Sequence, residues 1–121
     1  TGVFFMGNAP GIGRKLLINT PATVYFLPGT TGWGATFDGR PTLCWNPRVQ
    51  RDARFGFGSD RFGFNIAGTT NIPIVIEAAT SLVDCVWTPL TNTTLSTSGS
   101  LYFSDPSSTN TPARFYRIVF P

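Results

Sequence analysis

The side chains that do chemistry are few in this chain, and they stand apart. There is no histidine, which removes the commonest general base and metal ligand, and serine or cysteine triads of the usual kind with it. Six carboxylates, Asp38, Asp52, Asp60, Glu77, Asp84 and Asp105, are scattered along the sequence. Glycoside hydrolysis needs two carboxyl groups about 5–10 Å apart, and no spacing here marks out such a pair. Asp105, ahead of Pro106, reads as a turn residue with its side chain on nearby backbone amides. The closely spaced Asp and Asn ligands of a calcium loop are missing from the pattern. Gly11-Ile12-Gly13-Arg14 has the glycines of a phosphate loop without the strand and helix that would frame it. No catalysis, metal or cofactor is expected.

Two groups of side chains remain as candidates for binding. Arg48, Arg51, Arg54 and Arg61 fall in one stretch, interleaved with Phe55, Phe57, Phe62 and Phe64. Arginine with exposed aromatics is how single-stranded nucleic acid is held. The plainer expectation is that strand alternation sends these four phenylalanines into the core and leaves the arginines solvated. Asp52 and Asp60 then partly neutralise the patch, and no nucleic-acid partner is expected. Tryptophan and tyrosine are the usual platforms for sugars; Trp33, flanked by glycines, is the one expected to be exposed. Tyr116 is expected to hydrogen-bond backbone at a sandwich corner.

Cys44 and Cys85 each sit close to a tryptophan, in Leu43-Cys44-Trp45 and Cys85-Val86-Trp87. Paired, they close a loop of about 40 residues, worth roughly 3–4 kcal/mol through the unfolded state. One intramolecular disulfide, with Trp45 and Trp87 packed around it, is the expectation; two buried thiols are the alternative. Their spacing is too wide for a redox motif.

The elements that must carry these residues are short strands. Charged residues make up 12% of the 121-residue chain, about half the usual share, and Gly, Pro, Ser and Thr separate short apolar runs. That composition suits an all-β extracellular protein, and no run approaches the ~18 apolar residues of a membrane span. Opening on Thr1 with no signal peptide, the chain is expected to be a processed product or a fragment. Strands are expected at Arg54–Phe57, Phe62–Ala67, Ile72–Ala79, Val86–Leu90, Thr93–Ser96, Leu101–Ser104 and Arg114–Phe120, enough for an Ig-like β-sandwich of about seven strands over 42–121. Gly58-Ser59-Asp60 and Gly68-Thr69-Thr70-Asn71 are expected to close successive hairpins, and Pro73 and Pro89 to mark edges or late starts. Gly11 to Leu17 has room for no more than a turn of helix. Residues 1–41 read as a short β-rich, solenoid-like remnant with its connector.

The segment from Gly2-Val3-Phe4-Phe5-Met6-Gly7-Asn8-Ala9-Pro10 through Ala22-Thr23-Val24-Tyr25-Phe26-Leu27-Pro28-Gly29-Thr30-Thr31-Gly32-Trp33-Gly34 resembles the last repeat of bacterial BspA-type leucine-rich-repeat surface proteins. The remainder of the chain, including Trp45-Asn46-Pro47, Phe62-Gly63-Phe64-Asn65-Ile66, Trp87-Thr88-Pro89-Leu90 and Tyr102-Phe103-Ser104-Asp105-Pro106, is similar to their small C-terminal β-domain. The resemblance implies a terminal repeat plus β-domain, a cell-surface or extracellular location and no catalytic role; it implies nothing about a ligand. Cys44 and Cys85, and the lack of upstream repeats, depart from that pattern.

The function expected from these features is structural. Val3, Phe4, Phe5 and Met6 are too apolar to stand in water, so copies of the chain are expected to join head to tail into an extracellular filament through the N-terminal strands. The alternative is a C-terminal cap or anchor, or a module binding glycan or a surface protein through Trp33, Arg48, Arg51, Arg54 and Arg61.

Overall fold

Turn residues cut this chain into strands of two to seven residues. A computed structural model describes residues 2–11, 21–58, 61–83, 86–108 and 114–121. Over these the protein is all-β, with several open sheets and no helix. The expected helical turn after Gly11, the tip of the turn at Ser59-Asp60, and Cys85 lie outside the described residues. The chain forms two units, divided between Asn46 and Pro47.

In the first unit β1 (Gly2–Phe5), β2 (Thr23–Phe26) and β4 (Arg40–Cys44) run parallel, with β3 (Thr36–Phe37) antiparallel to β4, in the order β1-β2-β4-β3. Gly2 lies opposite Thr23 and Val24 opposite Thr42, so a parallel strand recurs about every twenty residues, the habit of a solenoid with one strand per turn. This is why the unit extends to Asn46 rather than stopping at 41: the segment after the connector is the sheet's third parallel strand. Two turns set the course. At Pro28-Gly29 the Thr30 amide donates to the Leu27 carbonyl, with Gly29 at φ 83°, as a type II turn requires. Asp38 and Gly39 both take positive φ, 52° and 78°, the two-residue turn whose twist matches a hairpin, here β3 to β4. The rings of Phe5, Phe26, Trp33 and Phe37 pack on one another at centroid distances of 5.1 to 5.5 Å.

The second unit holds two antiparallel sheets. In one, β7 (Arg61–Ala67) is flanked by β10 (Ser100–Asp105) on one side and by β5 (Arg48–Gln50) and β6 (Gly56–Gly58) on the other. In the other, β8 (Pro73–Ala79) lies between β9 (Thr88–Thr94) and β11 (Phe115–Val119). Consecutive strands β7 and β8 therefore belong to different sheets. Gly68 to Asn71 carries the chain between them instead of closing a hairpin, with the Gly68 amide on the Gly99 carbonyl and Asn71 at φ 64°. Pro73 opens β8, where no ladder donor is lost, and Pro89 lies in edge strand β9. The two strands expected on either side of Asn92 are one strand. A shift of register that leaves Leu90 over between Ile76 and Glu77 lets β9 run on past Pro89.

Phe64, Ile66, Ile74 and Ile76 are buried on the inner faces of β7 and β8. Phe62, Phe64 and Phe103 of the first sheet meet Tyr116 of the second at 5.3, 5.9 and 6.2 Å. One polar cluster is built into this junction. Asp105, 1% exposed, accepts the Ser107 amide at 2.9 Å, the Tyr116 hydroxyl at 2.8 Å and the Arg114 guanidinium. The turn function expected of Asp105 is present, and the same carboxylate takes the Tyr116 hydroxyl that was expected on backbone. Ser108 closes the turn, donating to the Asp105 carbonyl at 2.8 Å and accepting the Phe62 amide at 2.9 Å.

This cluster sets two expectations for stability. Asp105→Ala strands the mostly buried Arg114 charge and is expected to cost about 3 kcal/mol or more in a denaturant titration; a loss within error would show the carboxylate to be dispensable. Burial first, and then the bond to Asp105, push the Tyr116 phenol up from 10.0 to about 12. Its contribution is whole below the unfolded value and fades as pH climbs from 10 toward 12. Tyr116→Phe should therefore flatten the alkaline limb of a stability–pH profile, and an unchanged limb would separate it from this hydroxyl.

Candidate functional site

Two surfaces stand out, one in each unit. In the first unit the surface is the side of β1 away from β2, where no strand pairs with it among the described residues. Val3, Phe4 and Phe5 lie within this strand and are partly covered, while Met6, just beyond it, is 76% exposed. Phe5 and Phe26 share a register position and both contact Trp33, so the segment expected to drive assembly also packs half-buried within its own unit. Trp33 is not the free-standing platform expected: it stacks on Phe26 at 5.3 Å, with 10° between the planes. Trp45 packs edge-on against Phe4 at 5.5 Å. Cys44, at the end of β4, is a free thiol whose pKa is pushed up by burial; the expected disulfide is not present there, and Cys85 itself lies outside the described residues.

In the second unit the arginine stretch surrounds an open groove of ≈ 640 Å³ on the outer side of the β10-β7-β6 sheet. Its floor depends on Gly63. A Cβ there would collide with the Tyr102 ring and approach the Phe103 carbonyl to 2.7 Å, so only glycine lets Tyr102 lie down across β7. Arg54 then stacks its guanidinium 3.7 Å above the Tyr102 ring centre, a cation–π contact. The loop bearing Arg54 is pinned by Asp52, whose carboxylate accepts the Arg54 amide and the Asn65 side-chain amide, each at 3.0 Å. Chiefly through the Asn65 bond, these hold the Asp52 pKa below its usual value.

Arg48, Arg51, Arg54 and Arg61 are all exposed. Of these, Arg54 and Arg61 line the groove, whereas Arg51 sits 5.8 Å from the Phe55 ring centre. The phenylalanines divide. Phe64 is buried and Phe62 half-buried, but Phe55 is 40% and Phe57 73% exposed, against the expectation of a core position. Phe57 lies opposite inward-facing Phe62, on the face that alternation assigns it, but β6 is an edge of three residues and leaves that face uncovered. Phe55 and Phe57 reach only the rim of the core, each edge-on to Phe62 at 5.5 Å. Sequence reasoning misses the role of Tyr102, and only its outward parity opposite Asn65 could have signalled it. Trp87, expected beside the disulfide, lies under Arg117 at 4.3 Å, and Arg117 pairs with Glu77 across the sheet.

Gly63→Ala is expected to displace Tyr102 and to lower stability by ~1–3 kcal/mol, the usual range for overpacking. Gly58→Ala, where an added Cβ meets nothing within 4 Å, should leave the denaturation midpoint unchanged or slightly raised. Equal midpoints for the two variants would show that Gly63 does not seat the ring.

Comparison of the chain with protein-family models, with characterised proteins and with solved structures finds no match.

Proposed function

We propose that this chain is the terminating module of an extracellular parallel-β solenoid, a non-catalytic cap resembling the end of a bacterial leucine-rich-repeat surface protein. The observation that carries this reading is the asymmetry of the first unit's sheet. Its β4 side is taken by the β3 hairpin, with the Thr42 amide on the Ala35 carbonyl at 3.2 Å and the Thr42 hydroxyl on the Gly34 carbonyl. Its β1 side offers a strand edge in the register of the parallel ladder. A sheet that accepts a strand on one side and turns its own chain back on the other is built to end an array. The two sheets of the second unit, joined through Phe62, Phe64, Phe103 and Tyr116, support reading it as the sandwich of the C-terminal β-domain.

The filament is the second reading, and the same β1 edge supports it. Head-to-tail growth needs a different, complementary surface on each copy, and the turned-back β3 hairpin favours the cap. Two copies meeting β1 to β1 would close as a pair.

Sedimentation velocity across a wide concentration range, with hydrogen exchange of the Gly2–Phe5 amides, tests this. The cap reading expects a monomer, or a pair at high concentration, with alternate β1 amides exchanging fast. Oligomers that keep growing with concentration would replace it with the filament. Full protection of β1 in a monomer would remove both, because the edge would then already be covered.

A further inference from the structure

We infer that the partner of the β1 edge is a parallel strand that is apolar on both of its faces, with a β-branched residue opposite Val3 and large apolar residues opposite Phe4 and Phe5. The inference rests on the reading of β1 as a joining edge and specifies what that edge accepts.

The columns of the ladder carry the first argument. In a parallel sheet, residues in register lie side by side on the same face. Val3 stands beside Val24 and Val24 beside Thr42, a column that is β-branched throughout. Phe4, Tyr25 and Leu43 make a column of large side chains, and Phe5, Phe26 and Cys44 make the next. None of these residues is charged. A charge brought into such a column would lose its water and meet no partner there.

Burial is the second argument. β2 has a strand on each side, and Val24 and Tyr25 are 0% and 9% exposed. Val3 and Phe4, in the same two columns, are only half-buried. Cover above and below is not what β1 lacks. Alternation sends Phe4 and Phe5 to opposite faces, where Trp45 packs on Phe4 and both Trp33 and Phe37 pack on Phe5. What β2 has and β1 does not, among the described residues, is the second neighbouring strand.

These rings on both faces decide the chemistry of the partner. A strand with one face in water alternates apolar and polar residues, whereas a parallel strand covered on both sides reads as a continuous apolar run. β2 is such a run, Val24-Tyr25-Phe26, and so serves as the pattern for a strand on the far side of β1. An added strand takes its affinity from main-chain bonds and its specificity from alternate side chains. Direction follows from the columns. Parallel entry continues them, while a reversed copy of the same run would set its aromatic end against Val3.

The test uses the full chain and, as probe, a synthetic peptide with the sequence of Ala22 to Leu27, lysine-tailed for solubility. In an NMR titration the peptide is expected to shift the Gly2 to Met6 amides to saturation. Nuclear Overhauser contacts should join the peptide's valine to Val3 and its phenylalanine to Phe5. Two peptide variants, Tyr25→Gln and the double change Val24→Gln with Phe26→Gln, each make one face polar and should bind ~10-fold or more weakly. Contacts from the peptide's phenylalanine to Val3 instead would overturn the parallel direction. Equal binding of either one-faced variant would overturn the two-faced chemistry. If the parent peptide fails to bind while the β1 amides exchange fast, this inference falls and the cap reading stands. If the β1 amides are already protected in the monomer, the cap reading falls and this inference with it.

Discussion

A buried carboxylate at the end of one strand holds the second unit together. Asp105 terminates β10, and its side chain binds Arg114 just ahead of β11 and Tyr116 within it. The two strands belong to different sheets, so this is a polar tie across a junction otherwise made of aromatic rings. Removing a carboxylate from water is costly unless its lone pairs are met by donors. Here they are met by a backbone amide, a hydroxyl and a guanidinium. Rings alone would allow the sheets to slide, since apolar contact has no direction. A hydrogen-bonded carboxylate fixes one relative placement, and the Phe62 amide, bonded to Ser108 in the same turn, ties that placement to β7.

That inner registration determines the outer face. Because side chains alternate along β7, setting Phe62, Phe64 and Ile66 inward turns Arg61, Gly63 and Asn65 outward. Gly63 then lies under Tyr102, Asn65 reaches Asp52, and Arg61 borders the groove. Each feature of the groove is thus the reverse side of a packing decision in the core. The two are not independent, and a change at Phe62 would be felt by Phe55 and Phe57, whose ring contacts with the core run through it.

Much of this architecture is legible in the sequence. Period-two apolar runs locate β7, β8, β10 and β11 to within a few residues, and Pro73 at the start of β8 behaves as a missing donor demands. The Asp105-Pro106 turn is legible for the same local reason. What local chemistry cannot supply is the identity of a strand's partner. Gly68 to Asn71 has the residues of a hairpin turn, yet those residues serve equally well where a chain changes sheets. Asp38-Gly39 is a strong hairpin signal that reads as mere connector, because Thr36-Phe37 is too short to announce itself as a strand. In the candidate site, the sequence points to the arginines and misplaces the aromatics. Alternation assigns a face, not its cover: Phe57 is on the Phe62 face, but β6 is a three-residue edge with nothing among the described residues to bury it. Trp33 departs in the opposite sense: glycine flanks suggest exposure, but Phe5, Phe26 and Phe37 come from separate strands to surround it.

The edges of the sheets separate the two units in kind. Edges in the second unit are blunted in the ways that discourage pairing with strangers. In β9 these are Pro89 and the shifted register, on the β7 side a break into two three-residue strands, and in β11 the charge of Arg117. β10 ends at the buried Asp105 and Pro106. In the first unit β3 and its tight turn fold over one side of the sheet. β1 has none of these devices: Gly2-Val3-Phe4-Phe5 carries no charge, no proline and no break in register. An uncharged, regular, aromatic edge is a hazard if it faces water and an asset if a strand is meant to lie on it. The contrast between this plain edge and the protected ones is what supports the proposed cap, in which main-chain bonds would continue the parallel ladder.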